Sequence, residues 1–200
     1  MRRAIYAAAV LSCLSGLAGT LAAQDQPSPP PGTYGDREHN QQDRVANGVQ
    51  SGQLTAGETK SLEGQEHALN TEARADRSVN GGKLTAADRT QLNQQQNQVS
   101  RNIYADKHNA TTAHYGNNEV GQRRENQQDR IAQGIRSGSL NPNEASHLEG
   151  REQHINHQVA HDRAANGGTL TGAEKGQINH EQNRASKKIY ADKHNARRNP

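Results

Sequence analysis

The sequence predicts an all-α protein made of two tandem helical modules, and three observations carry that reading. Residues 40–110 align without gaps on residues 126–196 at an offset of 86, with 37 of 71 positions identical. Self-similarity on that scale marks a repeated structural unit. A glycine-leucine turn occurs four times, at Gly52, Gly82, Gly138 and Gly168, each followed by a helix-start pattern. Downstream of each turn the apolar residues recur at helical spacing, and strand-type alternation is missing beyond one or two residues.

Taken in order, residues 1–23 read as a secretory signal peptide. Arg2 and Arg3 precede a mostly apolar run, Ala4 to Leu17, and small residues close it before Gln24. The run is too short and too rich in alanine to stay as a membrane span, so a secreted or periplasmic location is expected, with no transmembrane span after cleavage. Residues 24–36, QDQPSPPPGTYGD, form a proline-rich disordered leader.

Helical module 1 covers 37–110. Val45 and Val49 stripe a helix before the first turn; Leu62, Leu69 and Ala73 follow that turn, and Leu92, Val99 and Ile103 follow the second. Thr55 with Glu58 has the capping-box spacing, and Thr85 with Asp88 repeats it in a weaker form. The linker TTAHYGNNEVG spans 111–121. Module 2 covers 122–196, with Ile131 and Ile135, then Leu148, Ile155 and Val159, then Ile178, Ala185 and Ile189. Its second helix opens on Asn141-Pro142 with Glu144 completing the cap, and its third on Thr171 with Glu174. Residues 197–200 are a tail. Each module thus reads as helix, tight loop, long helix, tight loop, helix, with a break of the long helix near Gly64 and Gly150 as the alternative.

Composition narrows the function. Beyond the signal, 22 basic residues face 21 acidic ones and the signs alternate along the chain, so no basic stripe for nucleic acid is expected. The one cysteine, Cys13, falls within the signal, which removes disulfides, thiolate nucleophiles and cysteine metal sites. Only 20 Val, Ile and Leu follow residue 23, and the chain has no Phe or Trp. The core must be thin.

The turns resemble the second half of an EF-hand calcium loop. With the turn glycine at loop position 6, Leu54, Leu84, Leu140 and Leu170 take the apolar position 8, and Glu58, Asp88, Glu144 and Glu174 take position 12. The first half departs from the family: Asn47, Val49 and Ser51 open the first loop and Arg77, Val79 and Gly81 the second. Treating the doubled glycine as a one-residue insertion restores part of a ligand set, Asp76, Asn80 and Asp88 in one module and Asp162, Asn166 and Glu174 in the other. Two acids per loop would hold calcium weakly. A helix junction, in which glycine turns the chain, leucine enters the core and Thr with Glu caps the next helix, explains the same residues without a metal and is the favoured reading. The chain also resembles bacterial exported proteins with repeats of the SGxLTxxE, NGGxLTxxE and IYxxKHN type, a resemblance that implies no particular chemistry.

Two further sets stand out. His154, His157 and His161 stripe the long helix of module 2 at spacings suited to Zn, Ni or Cu, although a solvated polar face is the favoured account. IYADKHNA recurs unchanged at 103–110 and 189–196. Tyr104, Lys107 and His108, with Tyr190, Lys193 and His194, are candidate partner-binding residues there. There is no GxSxG, HExxH or glycine-rich phosphate loop. The sequence therefore points to a non-enzymatic exported protein without a cofactor, an interaction or structural element whose partner is a protein or envelope component. Metal binding, by calcium at the loops or a transition metal at the histidines, is the alternative.

Overall fold

The computed structural model describes residues 32–197. Residues 1–23, expected to be a signal peptide, residues 24–31 of the expected leader and residues 198–200 lie outside them. Six helices and no strand are found among the described residues: α1 (Tyr34–Gln50), α2 (Ala56–Val79), α3 (Ala86–Lys107), α4 (Glu119–Arg136), α5 (Pro142–Ala165) and α6 (Gly172–Lys193). Helix α1 starts inside the stretch expected to be extended leader. Thr33 caps it and Asp36 completes a capping box, so local hydrogen bonding outweighs the nearby prolines. Likewise α4 begins at Glu119, within the expected linker, capped by Asn118.

Neither long helix breaks at its internal glycine. α2 and α5 each run unbroken for 24 residues, packed along one another through Gly64 and Gly150. α1 packs on α4, while α3 lies against α1 and α2, and α6 against α4 and α5. The result is an inner layer of α1, α2, α4 and α5 flanked by α3 and α6 on opposite sides. Contacts across the centre reciprocate at the 86-residue offset. Ser146 donates its hydroxyl to the carbonyl of Lys60, its own equivalent, at 3.0 Å. A Cβ on Gly64 would meet Ser146 at 3.9 Å, and one on Gly150 would meet Lys60 at 3.6 Å.

One apolar cluster crosses the centre, joining Val45, Leu54 and Leu62 to Ile131, Leu140 and Leu148. A smaller one, Val120, Ile155, Val159, Ile178 and Ala185, lies under α4, α5 and α6. Burying each large aliphatic side chain contributes roughly 1.5–3 kcal/mol. Among the described residues the interior holds 23 hydrophobic and 17 polar or charged side chains, so the thin core is completed by polar groups whose pairing matters as much as the aliphatic contacts.

Candidate functional site

The four turns come in two forms. After α1 and α4 the chain reverses through Gly52 (φ 71°) and Gly138 (φ 64°), and Leu54 and Leu140 fold back so that their amides donate to the carbonyls of Gly48 and Gly134, both at 3.0 Å. After α2 and α5 two consecutive glycines, Gly81–Gly82 and Gly167–Gly168, take the left-handed conformation that other residues resist. Gly82 and Gly168 each donate to an arginine carbonyl at 2.7 Å.

At these doubled-glycine turns the acids expected as last ligands are occupied. The Asp88 carboxylate accepts from the Thr85 amide at 2.7 Å and from the Asn80 side-chain amide at 3.1 Å. Glu174 accepts from the Thr171 amide at 2.7 Å and from the Asn166 side-chain amide at 2.8 Å. Backbone and hydroxyl hydrogen bonds from Thr85 and Thr171 hold both carboxyls below the usual range. Asn80 and Asn166 therefore turn N–H donors, not oxygens, toward the acid. Asp76 offers its backbone carbonyl to the Asn80 amide at 3.1 Å; slight desolvation and the Asp88 and Glu72 charges raise its carboxyl. Asp162 pairs with His161 at 3.2 Å.

The histidine stripe is divided by the packing. α5 lies between α2 and α6, so neighbouring faces look at different helices. His154 lines a groove between α5 and α6, while His157 lines a separate one of about 320 Å³ beside the start of α2 and residues 111–115. The His161 side chain is 81% exposed and turned to Asp162. Among the described residues no three His, Cys, Asp or Glu side chains converge to hold a metal ion, which applies to both the loop sets and the stripe.

The IYADKHNA segments close the ends of α3 and α6. Ile103 and Ile189 are fully buried. Tyr104 stacks on His108 and Tyr190 on His194, each at 4.1 Å between ring centres, and each histidine Nδ1 lies 2.7 Å from the carbonyl of its tyrosine. Lys193 donates to the carbonyl of Arg130 at 3.0 Å. Lys107 is half-buried, and desolvation with the nearby Arg44 charge lowers its pKa. Asn109 and Asn195 reach back to the capping acids Glu58 and Glu144 at 2.7 and 2.9 Å. Of the six candidate partner-binding residues, His108, Tyr190 and His194 are exposed, while Tyr104, Lys107 and Lys193 are half-buried.

A belt of buried polar groups, missed by sequence reasoning, runs through the centre. Glu63, Glu66, Glu149 and Glu152 occupy equivalent places on α2 and α5 and are at most 1% exposed. Gln42 donates to Glu63 at 3.3 Å, and Gln128 to Glu149 at 2.9 Å. Neither carboxylate oxygen of Glu66 or Glu152 has a hydrogen-bond partner among the described residues. Desolvation pushes Glu63 up to about 8 and Glu152 up to about 7, and raises Glu66 and Glu149 well above the usual range. Protonation is how buried carboxyls avoid an uncompensated charge. The charge beside the belt differs between the halves: α1 contributes Glu38 and α4 contributes Arg124 at the equivalent position, with the guanidinium 5.1 Å from the Tyr115 ring centre and opposing the rise at Glu152. The signal available in the sequence was the repeated LEGxE, residues 62–66 and 148–152, whose glutamates flank the apolar stripe.

Chemically, the belt holds raised carboxyls that are closed off from solvent in this packing. No family model, curated protein or solved structure matches the chain.

Proposed function

We propose that this is a non-enzymatic exported protein, an interaction or structural element of the bacterial envelope, built from two tandem modules whose EF-hand-like turns have exchanged calcium for internal hydrogen bonds. The observation that carries this reading is the Asn166 side-chain amide between the Asp162 carbonyl and the Glu174 carboxylate, both at 2.8 Å. A donor there satisfies the oxygens that a cation would otherwise gather, and Asn80 takes the same part toward Asp88. The buried carboxyls, sealed between helices, support a structural role for the groups most able to do acid-base chemistry.

Thermal melting of the chain with chelator, with millimolar calcium and with micromolar zinc tests the proposal. A ligand that binds only the folded state raises the melting temperature, and the expected result is three superimposable transitions. A calcium-dependent rise abolished by Asp76→Ala with Asp162→Ala would replace this reading with a calcium-binding one; a zinc-dependent rise abolished by His157→Ala would do the same for the histidines.

A further inference from the structure

We propose that the groove between α5 and α6 binds a multiply charged phosphate-bearing ligand through Arg151, Arg184 and Lys188. The inference deepens the interaction reading by naming the chemistry of a ligand, and it rests on that reading.

The two halves of the chain supply an internal comparison. In the first half, the positions 86 residues earlier are Gln65, Gln98 and Asn102, and they form a chain of amides between α2 and α3. Gln98 donates to Asn102 at 2.9 Å, and Asn102 donates to Gln65 at 2.7 Å. An amide carries both donor and acceptor, so such a chain closes on itself. In the second half all three places hold cations. Guanidinium and ammonium groups donate and cannot accept, so the bridge between the helices cannot form among them.

What stands there is a groove of about 490 Å³ lined by the three cations together with His147 and His154, within the usual size of small-ligand sites. Those histidines replace Ser61 and Ala68, and Ala185 replaces Val99, which enlarges the space. Five of the differences between the halves therefore add basic groups to one concave surface, although the chain as a whole is nearly balanced in charge.

The carboxylates nearby leave the guanidiniums unmatched. Glu181 also lines the groove, but in the orientation of Gln158 that satisfies its neighbours, the amide donates to that carboxylate at 2.8 Å. The pair is the mirror of Gln95 donating to Glu72 at 2.9 Å in the first half, so the acid has changed helix rather than been added. Lys188 pairs with Asp192 at 2.6 Å. Neither Arg151 nor Arg184 has a hydrogen-bond or ion-pair partner among the described residues. Phosphate supplies several acceptor oxygens on one atom and matches the guanidinium fork in bidentate fashion, which provides the acceptors that Arg151 and Arg184 lack.

The test is calorimetric titration of the chain with pyrophosphate at low salt. One-to-one binding is expected, weakened about tenfold or more, roughly 1.4 kcal/mol or more, in Arg151→Gln with Arg184→Gln, which restores the first-half residues. Lys83→Gln with Arg101→Gln, removing the same charge elsewhere, should leave affinity unchanged. Should the groove variant fail to fold, amide shifts of the wild-type chain during titration decide the matter: changes confined to α5 and α6 support the site. Vesicles containing phosphatidic acid, compared with phosphatidylcholine alone, separate the sources. Capture competed by pyrophosphate assigns a lipid headgroup, and pyrophosphate binding without capture assigns a soluble phosphate. No binding of either probe, equal loss in both double variants, or shifts spread over α1–α3 would overturn the proposal. Hydrolysis of the bound pyrophosphate would leave the site standing and refute the non-enzymatic reading instead.

Discussion

The Leu54 side chain occupies the space beside Gly48 so closely that a Cβ on the glycine would lie 2.6 Å from Leu54 Cδ1; Gly134 and Leu140 repeat the relationship at 2.5 Å. Both leucines are fully buried, so neither can swing aside without emptying the core. Each glycine sits in the last turn or so of its helix, where the missing side chain lets the following loop fold back over it.

Gly48→Ala and Gly134→Ala should each destabilise the protein by roughly 1–3 kcal/mol through overpacking. Gly150→Ala is the contrasting case, because its Cβ would find Lys60 at an ordinary 3.6 Å and the helix gains up to about 1 kcal/mol from alanine. Urea unfolding of the three variants checks the order. Equal effects at Gly134 and Gly150 would mean that the leucine contact is not what requires the glycine.

Stability should fall as pH rises above the acidic range. Burial raises Glu63, Glu66, Glu149 and Glu152. A carboxyl raised on folding contributes its full stability below the unfolded pKa, near 4.5, and loses it as pH climbs through the folded value, about 7 for Glu152 and about 8 for Glu63. The melting temperature is expected to drop by at least ~5 °C between mildly acidic and mildly alkaline buffer, at about 2–4 °C per kcal/mol. Glu63→Gln, which mimics the protonated acid, should flatten that slope and raise stability on the alkaline side. A melting temperature that climbs over the same interval would contradict the assignment.

Asn166→Asp should lower the melting temperature in chelator, since it removes the donor to Glu174 and sets a third carboxylate beside Asp162 and Glu174. Millimolar calcium should recover part of the loss in this variant and do nothing for the parent chain. If calcium leaves the variant unchanged, the amide is not standing where a cation would stand.

The caps and turns were legible in the sequence because they are local. Thr55 with Glu58, Asn141 with Glu144 and Thr171 with Glu174 interact three residues apart, and the glycines mark their own conformation. The continuity of α2 and α5 through Gly64 and Gly150 was open, since it depends on each helix having the other to pack against. The division of the histidine stripe was open for a related reason: spacing places His154 and His157 on adjoining faces, and the helices on either side of α5 assign those faces to different grooves. Glu63 and Glu149 could not be placed inside from local pattern alone, because their burial comes from a partner helix 86 residues away. The cationic groove was hidden too, as Arg151 and Arg184 come together only when α5 and α6 pack.

The reciprocal meeting of Lys60 and Ser146 has a bearing on how such a chain can change. Two like surfaces on separate copies must carry any substitution twice, so a charge added to one is added to both. Covalent fusion ends that constraint, leaving one half free to keep its closed ladder of amides while the other trades it for an open, positively charged cleft on the same scaffold.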